Sequence, residues 1–334
     1  MRRQPGKWAI GCAATLLGSL MLGGVIAHAQ DTKAASNAEI TAAEAWAFPV
    51  YPPLSELQAP LPHPQERVHV TGSARGYMQS QIDQSLPDWF PQDHPPAPTI
   101  VAEGRKQMES CKGCHGFNGT GTPATASPAG LPKAYILEQF AAFRAGQRGA
   151  NTPRSSQDMR KEARAVGDDD LRLAADYFSK MKYQSHVQVI ETATTPKMHW
   201  KFLMQVPDKG SAREPIGQRI IETPVSFADY RYGSDRTTYI AYVPPGSIAR
   251  GAAISAKGTG AAAACESCHG ATLHGVGVIP PLAGRSPTYI MRELILFRTG
   301  KRSNPQAAPM RTEASQLGIN DMIDVAAYAA SRKP

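Results

Sequence analysis

Hydrophobic side chains recur at helical spacing in two distant parts of the chain. The positions i, i+3, i+4 and i+7 are occupied by Leu171, Ala174, Ala175 and Phe178 in one part, and by Met322, Val325, Ala326 and Ala329 in the other. Each set predicts a helix with one buried face, and Asp169 and Asn320 are expected as its N-caps. Residues 135–143 and 289–297 predict a second amphipathic helix ahead of each.

The two regions share a register that extends well beyond these helices. Tyr135 follows Cys111 by 24 residues, and Tyr289 follows Cys265 by the same distance. Three extra residues then enter the first region, after which the register resumes at a methionine that precedes a tyrosine by 18 residues in each region. We interpret this register as an internal repeat of one small helical domain.

The repeat predicts a mainly α fold with two tandem domains, at residues 100–184 and 248–334. Residues 30–99 are rich in proline and are expected to form an extended N-terminal arm. Residues 185–247 connect the copies and contain β-branched and aromatic segments, which predict a partly extended or β connector.

The first 29 residues read as a secretory signal. MRRQPGK forms a positively charged n-region, and an apolar segment that contains several glycines follows it. AHA then places small residues before the expected cleavage site. The alternative is an uncleaved membrane anchor. We expect cleavage and a soluble periplasmic protein, because no later segment is long and apolar enough to span a bilayer.

The net charge and the positions of the cysteines limit the functions that this chain can have. Loss of Arg2, Arg3 and Lys7 with the signal would lower the formal charge from +8 to +5, which is mildly basic. The basic residues are scattered and not interleaved with aromatics, so we do not expect nucleic-acid binding. Outside the signal the chain has four cysteines, and all four lie in two C-x-x-C-H units.

These units are CKGCH, with Cys111, Cys114 and His115, and CESCH, with Cys265, Cys268 and His269. In exported proteins this motif is typical of covalent haem attachment: the thiols form thioethers and the imidazole ligates the iron. A redox dithiol, a zinc site formed by both pairs and structural disulfides are the alternatives. The pairs are offset by 154 positions in the chain and each is followed directly by a histidine, which favours haem at both.

The repeat also supplies a candidate sixth ligand for each iron. Met159 and Met310 are matched in register, whereas Met181, Met198 and Met204 have no counterparts. An isolated methionine usually fills a core. A matched pair at this position is more consistent with thioether ligation.

With these features the chain resembles the class I cytochromes c in a tandem di-haem arrangement, the periplasmic c-type cytochrome family. CKGCH, CESCH, IPPLAG, the two methionine-bearing loops and the terminal LAADYF and VAAYAA segments carry the resemblance. It implies two covalently bound haem c groups. It also implies that the carbonyl of Pro281 orients His269; the first copy departs here, because Ser127 is aligned and Pro128 only lies nearby.

His/Met ligation leaves no open coordination position on the iron, which favours an electron carrier over an enzyme. The resemblance implies a periplasmic dehydrogenase or quinol-oxidising complex as donor and an oxidase or another cytochrome as acceptor. The alternatives are a cytochrome subunit of a dehydrogenase complex and a di-haem enzyme of the thiosulfate-oxidising or peroxidase type. We expect the haem on Cys111 and Cys114 to have the lower potential or the weaker sixth ligand.

Overall fold

The computed structural model describes residues 33–334. The expected signal segment, residues 1–29, lies outside the described residues. Within residues 33–334, none of the helices combines the length and apolar character that crossing a membrane requires.

The N-terminal segment is less extended than expected. It contains α1 (Asn37–Ala47), α2 (Leu54–Leu57), β1 (Arg67–Val68), β2 (Tyr77–Met78) and α3 (Gln79–Gln84). Ser36 and Glu39 form a capping box at the start of α1. The apolar face of α1 packs against the second copy, and Trp89 and Phe90 are buried in a small cluster of the arm itself. The proline residues therefore separate short folded pieces rather than keep the whole arm extended.

The two copies follow the same order of helices. The first copy contains α4 (Thr99–Ala102), α5 (Lys112–His115), α6 (Lys133–Arg144), α7 (Arg154–Ala165) and α8 (Asp168–Ser179). The connector and second copy contribute the later helices α9 (Phe227–Arg231), α10 (Ser247–Lys257), α11 (Glu266–His269), α12 (Pro287–Arg298), a 3-10 turn (Pro305–Ala307), α13 (Ala308–Gln316) and α14 (Ile319–Ser331). The predicted helices correspond to α6, α8, α12 and α14 and are confirmed.

The connector forms short strands, as the sequence predicts. They are β3 (Val187–Glu191), β4 (Thr194–Pro196), β5 (Met198–Lys201), β6 (Met204–Pro207), β7 (Arg213–Pro215), β8 (Ile221–Pro224) and β9 (Tyr239–Val243). Strand β9 is central to a three-stranded sheet, parallel to β3 and antiparallel to β8. The pairs β4–β7 and β5–β6 are separate antiparallel ribbons.

Two local expectations were wrong. The N-caps of α8 and α14 are glycines, Gly167 and Gly318, because each helix begins before the expected position. Asp169 and Asn320 instead lie in the first turns, where Asp169 pairs with Arg172 at 2.9 Å. The methionine-bearing segments are helical rather than loops: Met159 is on α7 and Met310 on α13.

The two copies meet through side chains that the repeat itself matches. Arg148 of the first copy donates to the Tyr289 hydroxyl at 3.1 Å and to Glu293 at 2.8 Å. Its counterpart Arg302 donates to the Tyr135 hydroxyl at 2.8 Å and to Glu293 at 2.6 Å. Each arginine therefore crosses to the helix of the other copy, in an approximately two-fold arrangement.

One carboxylate serves both cations of this interface. The side chains of Arg148, Arg302 and Glu293 are 8%, 6% and 14% exposed. Burial raises the pKa of Glu293, but Arg148 and Arg302 outweigh it and lower the pKa to about 2. The position equivalent to Glu293 in the first copy is Gln139, whose side-chain oxygen accepts from both arginines at 3.0 and 2.7 Å.

We expect Glu293→Gln to destabilise the fold strongly, because it keeps the shape of the side chain but leaves two buried guanidinium groups without a counter-charge. Removing one partner of a buried ion pair costs about 3–5 kcal/mol. Denaturant unfolding at neutral pH measures the loss. Glu56→Gln, at an exposed position of α2, is the control and should be neutral. A loss below about 1 kcal/mol for Glu293→Gln would contradict this assignment.

Candidate functional site

Each C-x-x-C-H unit forms a single helical turn. The His115 amide donates to the Cys111 carbonyl at 3.0 Å, and the His269 amide donates to the Cys265 carbonyl at 2.9 Å. This turn places the two thiols and the imidazole of a unit along one face. A glycine ends each turn, Gly116 at φ 74° and Gly270 at φ 81°, a conformation that residues with a Cβ rarely adopt.

In the part of the chain that the structure describes, the four motif cysteines form no disulfide. Burial raises the pKa of Cys111 to about 12 and that of Cys265 to about 11, so both are protonated at neutral pH. A reactive redox dithiol is favoured by a lowered thiol pKa, whereas burial raises the pKa of Cys111, Cys114 and Cys265. Among residues 33–334, no three His, Cys, Asp or Glu side chains are grouped as a zinc site would require.

The two imidazoles are held in the same way. Nδ1 of His115 donates to the carbonyl of Ala126 at 2.8 Å, and Nδ1 of His269 donates to the carbonyl of Pro280 at 2.9 Å. Burial lowers the pKa of both histidines, against the opposite effect of the carbonyl acceptors, so both rings stay neutral. A neutral imidazole fixed through Nδ1 presents Nε2 as a metal ligand.

The expectation that Pro281 supplies this carbonyl was wrong by one residue. The acceptor is Pro280, and the Pro281 carbonyl instead accepts from Nε of Arg285 at 2.8 Å. In both copies the acceptor lies 11 residues after the histidine, so Ala126 is the true counterpart. The difference between Ser127 and Pro281 therefore does not alter the histidine hydrogen bond. The expectation of a weaker first haem then rests only on the longer segment before Met159.

The candidate methionine ligands have different surroundings. Met310 and Cys265 both pack against the buried cluster of the second copy. Met159 is half-buried, and the neighbouring Asp158 accepts a hydrogen bond from the Tyr51 hydroxyl of the arm at 3.2 Å. Of the three competing methionines, Met181 and Met204 are 7% and 1% exposed and fill cores, whereas Met198 is half-buried on β5.

The arm and the connector cover the loop after the first motif. The Asp235 carboxylate accepts from the Phe117 amide at 3.0 Å, and the His94 ring stacks on Phe117 with centroids 5.0 Å apart. The corresponding loop of the second copy is open, with Val276 57% and Val278 60% exposed. Sequence reasoning missed Asp235 and His94, because neither belongs to the repeat.

Arg285 connects the loops that hold the two histidines. It donates to the carbonyls of Pro281, Ser127 and Ala129, the last at 2.9 Å, and the residue is 5% exposed. Pro281 and Ser127 each directly follow the carbonyl that orients a histidine. A single side chain thus ties both sites together, and its register counterpart in the first copy is Leu131.

Comparison with known proteins agrees with this geometry. The family model described as Cytochrome c matches residues 101–182. Cytochrome c-554(548) of Halomonas halodenitrificans is 37% identical over 70 residues, which are 21% of this chain and 84% of that protein. The chain belongs to the cytochrome c family. The resemblance drawn from the sequence is confirmed.

Two further proteins are similar over most of this cytochrome. The thiosulfate dehydrogenase electron acceptor of Thiomonas intermedia is 25% identical over 239 residues, which are 71% of this chain and 84% of that protein. A solved structure of thiosulfate dehydrogenase (TsdBA) from Marichromatium purpuratum has a TM-score of 0.48 and 26% identity, covering 70% of this chain and 39% of that one.

Membership of the family means that this cytochrome attaches haem c covalently and transfers electrons. The residues present fit that group: each motif offers free thiols on one turn and a neutral imidazole fixed through Nδ1.

We expect Arg285→Leu to lower the free energy of unfolding by about 2 kcal/mol or more, because three carbonyl groups lose their donor. Arg285→Lys should recover little of the free energy of unfolding that Arg285→Leu loses, because one ammonium group cannot replace a guanidinium that reaches both loops. Thermal unfolding of the holoprotein measures both. Arg172→Leu removes only an exposed ion pair and is the control. Equal stabilities of Arg285→Leu and Arg172→Leu would contradict the assigned role.

Proposed function

We propose that this cytochrome is a periplasmic di-haem electron carrier with two His/Met-ligated haem c groups. One observation carries the proposal: the motif turn and the carbonyl 11 residues after its histidine occur in both copies, with Nδ1–O distances of 2.8 and 2.9 Å. A repeat that preserved only the fold would not need to keep this second hydrogen bond.

In this proposal each copy holds one haem. Cys111 and Cys114 attach the first, with His115 and Met159 as iron ligands; Cys265 and Cys268 attach the second, with His269 and Met310. The haem supplies reversible one-electron chemistry at the iron. The chain supplies the fixed imidazoles and, through Arg148, Arg302 and Arg285, a rigid connection between the two sites.

The first electron donor to test is a periplasmic thiosulfate dehydrogenase. The Thiomonas protein is named as the electron acceptor of such an enzyme, and its 239 aligned residues exceed the length of either copy. A dedicated subunit of a dehydrogenase complex remains the alternative within the same chemistry. Reduction of the purified cytochrome by the dehydrogenase, without co-purification of the two, would distinguish a free carrier from a subunit.

We expect the wild-type holoprotein to exceed the mass of the apo-chain by two haem groups. The double variants Cys111→Ala/Cys114→Ala and Cys265→Ala/Cys268→Ala should each lose one haem, because thioether attachment needs the thiols of that unit. Intact-protein mass spectrometry after denaturation measures this. A wild-type protein with a single covalent haem, or a double variant that still carries two, would refute the proposed pairing.

The methionine ligands are tested by spectroscopy. Met159→Ala and Met310→Ala should each open one iron, so that each oxidised variant loses half of the Met–iron charge-transfer absorption and binds cyanide at one haem. Met181→Ala, which truncates a core methionine, should leave the absorption unchanged. Undiminished absorption in Met159→Ala or Met310→Ala would show that the ligand lies elsewhere, and ready ligand binding by the wild type would favour a di-haem enzyme.

A further inference from the structure

A concave pocket of about 680 Å³ lies on the first copy, on the helix that carries Met159. One wall is the loop of residues 149–151, and the other is formed by α7. Gln157, Arg160, Lys161 and Arg164 line the helical wall, at positions i, i+3, i+4 and i+7. Their spacing places all four side chains on one face of the helix.

The pocket is lined by three basic residues and by no carboxylate. The acids on the same helix are engaged elsewhere. Asp158 contacts the Tyr51 hydroxyl at 3.2 Å, and Glu162 accepts from the Glu109 amide at 3.1 Å. Glu162 also lies 3.5 Å from Lys161, whose side chain is 70% exposed. That contact offsets only part of the positive charge of the pocket.

The two arginines of the pocket have no carboxylate partner, and one of them has a buried, unsatisfied donor. In the part of the chain that the structure describes, neither Arg160 nor Arg164 forms an ion pair, and Nε of Arg160 is buried without a hydrogen-bond partner. A buried donor without an acceptor is unfavourable, and guanidinium groups are suited to bidentate binding of oxyanions. The chemistry of the pocket therefore points to an anionic ligand.

The second copy provides an internal comparison. The register that matches Met159 with Met310 also matches Arg160 with Arg311, but it matches Lys161 and Arg164 with Thr312 and Ser315. Arg311 donates to the Ser303 carbonyl at 2.9 Å. The three residues inserted in the first copy precede Met159, in the region of the loop that walls the pocket. The residues that form the pocket are therefore particular to the first copy and are not part of what the two copies share.

We propose that this pocket is a binding site for a small divalent oxyanion, held by Arg160, Arg164 and Lys161 with Gln157 as a neutral donor. Binding itself does not depend on the proposed electron-carrier function. Its consequence does, because the helix that lines the pocket also carries the proposed iron ligand Met159 on another face, so that a bound anion would act on the first haem through this helix and not on the second.

Isothermal titration of the holoprotein with sodium sulfate, at an ionic strength held constant with sodium chloride, tests the site. The expected result is one saturable site in the wild type and at least about tenfold weaker binding in Arg160→Gln/Arg164→Gln, from the loss of two charge-assisted contacts. Arg311→Gln, the matched change in the second copy, should bind sulfate as the wild type does. Thiosulfate and phosphate are then compared as probes.

The absence of saturable heat with all three anions, or equal affinities in the wild type and the double variant, would overturn the proposal. Binding of a polyglutamate peptide without binding of any small oxyanion would also overturn it, in favour of an acidic protein partner. If the double variant does not fold, Lys161→Gln and sulfate-induced amide shifts at Asn151 and Gln157 provide the same test. Haem content, measured by mass, is independent of these outcomes and reports on the proposed function alone.

Discussion

The structure depends on a single buried carboxylate between two buried guanidinium groups. Glu293 accepts from Arg148 of the other copy and from Arg302 of its own, and no more than about a seventh of any of the three side chains is exposed. Two cations share one anion here, and Nε of Arg302 is buried without a hydrogen-bond partner, so the cluster depends on the exact position of Glu293. It therefore fixes the relative position of the two copies more strictly than apolar packing would.

The two sites hold their histidines in the same way but differ in how far the loop after each motif is covered. The hydrogen bonds of His115 and His269 have the same spacing and nearly the same length. The arm and connector cover the loop after the first motif, whereas the second loop exposes Val276 and Val278. An exposed apolar loop is suited to a protein contact, and a covered one is not. The two copies therefore present different surfaces to partners although their inner geometry is conserved.

Sequence reasoning succeeded where a periodic signal was repeated. The helices α6, α8, α12 and α14 follow from apolar spacing and register, which depend on contacts within one copy. It failed where one residue decides an outcome: the histidine acceptor is Pro280 rather than Pro281, because peptide orientation in a proline-rich loop is set by packing and by Arg285. It also treated the arm as extended, because its proline content hid the capping box and apolar face of α1.

The sequence by itself determined that this protein is a repeated c-type cytochrome, since C-x-x-C-H, the register and the helical periods are local patterns that survive without knowledge of the fold. Only the tertiary structure decided how the copies are joined and which site is covered. Arg148, Arg285 and Asp235 act on residues that are more than 100 positions away in the chain. No pattern in the sequence encodes such pairings, because they arise only when separate elements are packed together.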